Sequence, residues 1–226
     1  MTTESNSKQR TAIFDAIRSS GLTVECDEED IRREAAELVT GVADARPPLL
    51  ADDIVEAFRM RFDNGLVVGT TCVEITEFRD LPGAVSQYLE RHGLPALVKI
   101  QPLDNLTGLD WAGFSTDADV ELDDSVAVLM AEFGIAETGS VVVCSSASMP
   151  VLLNFLPLHA IVVVERSRIL PFLDDYAAIA GEMAGDSTTP RNVSLITGAS
   201  GTTDIEGVLV KGAHGPKFLH VVVVGR

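Results

Sequence analysis

The stretch TGASGTTDIEGVLVKGAHGPKFLHVVVV, residues Thr197–Val224, decides how the chain is read. It follows the apolar run SLI and closes on LHVVVV, so two strand-length segments bracket a dense set of glycines, hydroxyls, acids and histidines. Between them, Gly198–Thr202 reads as a loop and Asp204–Val210 as a short helix with Ile205, Val208 and Leu209 on one face. Gly212–Pro216 reads as a second turn. The spacing therefore predicts one strand–helix–strand unit. Thr203-Asp204-Ile205-Glu206 fits a capping box, in which the Thr203 hydroxyl accepts from the amide of Glu206 and the Glu206 carboxylate accepts from the amide of Thr203.

Working outward, the same alternation fills the preceding 130 residues or so. Leu66–Gly69, Leu97–Ile100, SVAVLM, SVVVC and LHAIVVVE are short apolar runs rich in β-branched residues, as expected of strands covered on both faces by helices. Pro82–His92 reads as a helix with proline in its first turn and Gly93 just past its end, and Pro171–Ala184 as another. Strands separated by helical segments imply parallel crossovers. Pro102–Asp124, rich in Asp, Gly and Thr and holding Trp111, reads mostly as loop. The N-terminal third has helical apolar faces: Ile13, Phe14 and Ile17; Ile31, Ala35, Leu38, Val39 and Val42; Ile54, Val55, Phe58 and Phe62. Arg46-Pro47-Pro48 separates the second face from the third, and Asn64-Gly65 ends the third. The predicted class is α/β, three-layered around a mostly parallel sheet, with residues 1–63 a helical N-terminal extension and 64–226 the α/β domain.

The formal net charge of −17 sets nucleic acids aside, because their binding needs lysine and arginine to neutralise phosphates. The acidity is uneven, with 26 acidic and 11 basic residues in Met1–Ile135 against 8 and 6 in Ala136–Arg226. The nearly neutral second part is therefore expected to hold the core. Cys26, Cys72 and Cys144 are widely spaced without a CxxC pair, so neither a zinc site nor an iron–sulfur cluster is expected, and they read as small buried hydrophobes. No cofactor or metal is expected. The polar start does not resemble a signal peptide, and the longest apolar runs are too short to span a bilayer, which predicts a cytoplasmic location.

Two readings of the glycine-rich loop stay open. One is a helix cap built by Thr203 and Glu206. In the other, Gly198, Ser200, Gly201 and Thr202 lead into a helix N-terminus at a strand end and offer amides and hydroxyls to an anion. Asp204 and Glu206 disfavour a highly charged phosphate there, leaving a carboxylate, a thioester or a hydroxyl-bearing ligand. His214, between Gly212 and Gly215, is either a general acid or base or an exposed turn residue. His220 reads as structural, and His92 as a complement to the dipole of its helix.

In order, Ala136-Glu137-Thr138-Gly139, Leu156-Pro157 with His159, TGASGTTDIEG and GAHGP resemble the LUD domain of the lactate-utilisation protein C family, from about Ser125 onward. The resemblance implies a fold similar to ribose-5-phosphate isomerases, glucosamine-phosphate deaminases and CoA transferases. It also implies a role in oxidising lactate to pyruvate beside iron–sulfur partner subunits. Where relatives carry a proline, a polar residue and an alanine, this chain has Ala199, Gly201 and Thr203, and it lacks their arginine ahead of Leu156-Pro157. Likeness to CoA transferases suggests Glu137 as a nucleophile; the alternative is a residue tying its turn. The expected function is an accessory, non-redox subunit binding a small carboxylate or iron–sulfur partners. Its expected pocket is formed by Glu137, Thr138, Gly139, Ser145, His159, the loop from Gly198 to Glu206, and the turn Gly212–Pro216 with His214. The rival is a transferase or isomerase on a CoA, folate or phosphosugar substrate, with Glu137 and His214 catalytic.

Overall fold

The computed structural model describes residues 3–19, 27–41, 46–63, 69–117, 126–185, 189–205 and 208–225. The chain divides into two compact units, Met1–Arg46 and Pro47–Arg226. The first contains helices α1 (Thr3–Ser19) and α2 (Glu28–Gly41). Their exposed surfaces carry i,i+3 and i,i+4 ion pairs, Arg18–Asp15, Arg32–Glu28 and Arg33–Asp30. Pairs of this kind stabilise a helix by only about 0.3–0.5 kcal/mol each. Cys26 and Val42 lie outside the described residues.

In the second unit, α3 (Ile54–Asp63) precedes β1 (Thr70–Ile75), α4 (Leu81–His92) and β2 (Leu97–Ile100). Of the first expected strand only Gly69 is described, and it lies in a turn; the observed strand starts one residue later. α4 ends on Gly93 in the left-handed region (φ 64°), where a Cβ would be strained. Of Pro102–Asp124, residues 118–124 lie outside the described residues, and the rest departs from the expected loop in holding a one-turn helix, α5 (Asp104–Thr107), and β3 (Ser115–Asp117). Trp111 Nε1 donates to the Leu106 carbonyl at 2.8 Å, which fastens this segment to the core. There follow β4 (Val126–Met130), β5 (Phe133–Ile135), β6 (Ser140–Cys144), α6 (Leu152–Phe155) and β7 (His159–Glu165). The remainder is β8 (Ile169–Leu170), α7 (Leu173–Gly185), β9 (Val193–Ile196), β10 (Gly201–Ile205), β11 (Val208–Lys211) and β12 (Phe218–Val224).

The central sheet is wholly parallel, ordered β1-β12-β7-β4-β2-β3. Period-two alternation divides its side chains between two cores. Val222 and Val224 of β12 and Ile161 and Val163 of β7 pack with Leu81, Val85, Tyr88 and Leu89 of α4. Leu219, Val221 and Val223, with Ala160, Val162 and Val164, face the other way onto Val55, Phe58 and Phe62 of α3 and onto Val141 and Val143 of β6. Three layers result: α4, the parallel sheet, then α3 with a second sheet. The α/β class with a mostly parallel central sheet and a helical N-terminus is thus the observed one.

The second sheet, β8-β5-β6-β9, departs from the expectation of parallel crossovers. β5 and β6 form an antiparallel hairpin, and β6 pairs antiparallel with β9. Its outer face packs Val142 and Ile135 against Tyr176 of α7. Only four residues, Ala136–Gly139, separate β5 from β6, too few for the dozen or so that a parallel crossover needs.

The opening stretch is the main correction. Residues 204–205 and 208–210 are in strands rather than a helix, with 206 and 207 outside the described residues: β10 and β11 pair antiparallel, with Gly201 opposite Lys211 and Ile205 opposite Val208. The strand–helix–strand unit is therefore a strand, a hairpin and a strand, and its two outer strands belong to different sheets. With no helix to follow Thr203, the capping box has nothing to cap. Thr202, Thr203, Ile205, Val208 and Val210 are β-branched, and their restricted χ1 favours the extended form over a helix this short. Cys72 and Cys144 are half-buried rather than fully buried.

Candidate functional site

A polar cluster with three buried members, Tyr88, His159 and His220, lies where β7 and β12 begin, beneath the C-terminal half of α4. Parallel pairing sets Phe218 beside His159 and Thr71 beside His220, and strand alternation turns all four toward α4. On the helix, Tyr88 and His92 are four residues apart and share a face, their rings 4.4 Å apart. The Tyr88 hydroxyl and His159 Nδ1 are hydrogen-bonded at 2.8 Å. The ring of Tyr88 stacks on His220 at 4.6 Å, and His159 stacks on Phe218 at 4.4 Å. Thr71 Oγ1 lies 2.7 Å from His220 Nδ1, while His220 Nε2 is buried with no hydrogen-bond partner.

Burial controls the electrostatics here. Removal from water holds His159 near a pKa of about 4, assisted by the positive charge of neighbouring His92 and Lys217. His220 is likewise held at about 4, by desolvation first and then by Arg91 and His92. Desolvation pushes Tyr88 up to about 12. At neutral pH the cluster is therefore two neutral buried imidazoles and a protonated phenol, able to exchange hydrogen bonds without carrying charge.

The residues in and beside the β5–β6 turn bond to α7, to Thr197 just past β9 and to one another. Glu137 Oε2 accepts from the Leu173 amide at 3.0 Å, which caps the first turn of α7, while the Glu137 amide donates to the Pro171 carbonyl. Thr138, Ser140 and Thr197 form a hydroxyl chain with two 2.6 Å links. Gly139 has φ 71°, and a Cβ there would stand 2.5 Å from Arg61 Cβ, so only glycine fits between the turn and α3. Ser145 Oγ accepts from the Asn192 amide at 2.9 Å and fastens the end of β6 to the start of β9.

The glycine-rich residues form a second group. The Ser200 amide donates to the Pro216 carbonyl, and the Gly212 amide to the Ser200 carbonyl. The His214 amide reaches Ser200 Oγ at 3.4 Å. Gly198 has φ 91°, and Gly215 lies against Ser200 and Phe155. Thr202 and Thr203 are in β10. Asp204 is also in that strand, but its side chain and all of Glu206 lie outside the described residues. Ser200, Gly212, His214 and Gly215 are thus brought together, as are Thr138 and Ser140 with Thr197. No described hydrogen bond or ion pair joins Glu137 to His214 or either to His159. Sequence reasoning did not single out Tyr88, Arg91 or Thr71 and read His220 as structural; the available signal was that histidine at an alternate position of an otherwise apolar run, next to Val222 and Val224 on the covered face.

Residues 122–224 match the family model of the LUD domain. Over 196 residues the chain is 29% identical to lactate utilization protein C of Geobacillus thermodenitrificans, which spans 77% of this chain and 80% of that protein. It is 30% identical over 142 residues to lactate utilization protein C of Bacillus subtilis, spanning 61% of this chain and 59% of the relative, so the chain covers less than two thirds of that protein. Among solved structures, a DUF162 family protein from Deinococcus radiodurans superposes with a TM-score of 0.56 at 23% identity, covering 79% of this chain and all of that one, a likeness of fold. Through residues 122–224 the chain is thus similar to the LUD domain, and the relatives it resembles include lactate utilization protein C.

Proposed function

We propose that the protein serves lactate utilisation as an accessory, non-redox subunit that binds a small carboxylate and works beside iron–sulfur partners in the cytoplasm. The observation that carries this reading is the similarity to a lactate utilization protein C over 80% of that relative's length. The sequence adds support: its three cysteines are too scattered to ligate a cluster, so electron transfer would fall to partners. Among the described residues no group of three His, Cys, Asp or Glu side chains could hold a metal ion, and no described helix is long and apolar enough to cross a membrane.

The rival transferase reading asks Glu137 to attack a substrate. Its carboxylate instead accepts the Leu173 amide at the start of α7, which is the work of a capping residue. Replacing Glu137 with Gln keeps an acceptor oxygen and removes only the charge facing the helix dipole, a cost of less than about 1 kcal/mol. Growth on lactate by cells carrying only E137Q should match the unaltered strain; lost growth with an unchanged melting temperature would revive the catalytic reading. Deletion of the gene tests the pathway itself. It should abolish growth on lactate and spare growth on pyruvate, and retention of an iron–sulfur protein on the tagged chain would support the partnership. Unimpaired growth on lactate, with no second copy, overturns the assignment.

A further inference from the structure

β1 is the edge strand of the parallel sheet, and α4 crosses above it without covering it completely. A groove of about 590 Å³ opens between them. It is lined by Val73–Ile75 of β1, by Gly83 and Arg91 of α4, and by His220. Most of its charges are already satisfied. Glu74 is paired with Arg166 at 2.9 Å, Arg79 with Glu77 at 2.8 Å, and Asp80 accepts the Glu77 amide at 3.1 Å. Arg91 is different: it lines the groove and makes no ion pair among the described residues. A cation without a counter-ion is notable in a chain of net charge −17.

His220 supplies an independent observation. It is 2% exposed, it lines the groove, and its Nε2 lacks the partner that a buried polar atom requires. Leaving such an atom unsatisfied is destabilising, because its lost water is not replaced by a partner. Thr71 occupies Nδ1 and Tyr88 covers the ring face, so the groove is the side from which a partner can reach Nε2.

We propose that this groove binds a small carboxylate bearing an oxygen on the neighbouring carbon, a 2-hydroxy or 2-oxo acid, with Arg91 holding the carboxylate and His220 Nε2 hydrogen-bonding the second oxygen. The site is separate from the turns around Glu137 and His214. The choice of ligand class rests on the proposed function, whereas the site rests on Arg91, His220 and the groove.

The test is a titration of the isotopically labelled full chain with lactate and with pyruvate, following the ring nitrogens of His220. Propionate, which lacks the second oxygen, is the control. Lactate or pyruvate should shift His220 saturably, and propionate should bind more weakly by about tenfold or more, the ratio expected for a lost hydrogen bond in a dry site. Arg91→Gln should weaken binding by about tenfold or more, as for a lost charge-assisted contact. Gly83→Leu offers a variant that need not disturb folding, since a Cβ at Gly83 meets nothing within 4 Å; its side chain should fill the groove and abolish the shift with the melting temperature unchanged or raised. Absence of a saturable shift overturns the proposal, as does binding that R91Q and G83L leave intact. So does equal binding of propionate, or a soaked crystal with an ordered water on Nε2 and an empty groove. The titration reads the groove whether or not growth on lactate needs the protein, so the site and the pathway can fail separately.

Discussion

The glycine-rich hairpin and the histidine cluster make opposite use of polar residues. From Gly198 to Pro216 the chain is dense in hydroxyls, acids and glycines, yet its described bonds are those of a turn: amides of Ser200, Gly212 and His214 closing on nearby oxygens. Val208 and Leu209 of β11 are 62% and 53% exposed, so the hairpin adds little to the core. Beneath α4, Tyr88, His159 and His220 are buried, and the polar contacts run across long sequence separations: 149 positions for Thr71 and His220, 71 for Tyr88 and His159. The density of chemistry-bearing residues in sequence is thus a poor guide to where chemistry is constrained. Burial raises the cost of every unsatisfied polar atom, and so fixes geometry in a way that a solvated turn does not.

This contrast can be broken most sharply at Tyr88. Tyr88→Ala removes a ring that packs on His92, His159 and His220 and on the α4 core, and should cost about 3–5 kcal/mol, read as a lower urea midpoint. A loss below about 1 kcal/mol would show that the cluster is not integral to the core.

Next in size is the pH dependence. His220 has its pKa lowered from 6.5 to about 4, so between those values the unfolded chain takes up a proton that the folded chain refuses. The stability is fully present above about pH 6.5 and is lost as the pH falls toward 4, on the order of 3 kcal/mol from this residue. His159, shifted in the same direction, adds to the loss over the same window. Urea midpoints measured across it, with the His220 ring resonances remaining in the neutral form at about pH 5.5, check the sign. A midpoint independent of pH would contradict it.

The smallest effect is expected in the hairpin. His214→Ala removes an exposed imidazole whose backbone amide, rather than its ring, makes the described contact, and should change stability by no more than about 0.5 kcal/mol. A larger loss would mean that the turn, like the cluster, depends on its side chains.

Much of the architecture was legible from local pattern. The β-branched runs became β4, β6, β7, β9 and β12, and Pro82 with Gly93 marked the two ends of α4, because these signals act within one element. The hairpin was misread because Thr203 and Glu206 imitate a cap, while the β-branched residues around them favour extended chain. Glu137 was open to two readings, a nucleophile or a tie for its turn; the contact with Leu173, 36 positions away, is of the second kind.

By itself the sequence determined the α/β class, the strand-forming runs, the acidic balance and the resemblance to LUD domains, all of which follow from composition, periodicity and motif order along the chain. Only the tertiary structure decided that the parallel sheet and the antiparallel β5–β6 hairpin are separate, and that Thr71, Tyr88, His159 and His220 share one face under α4. The physical reason is that sheet order and register are set by packing between distant segments: alternation dictates that a side chain must face one core or the other, but not which helix or strand will meet it there.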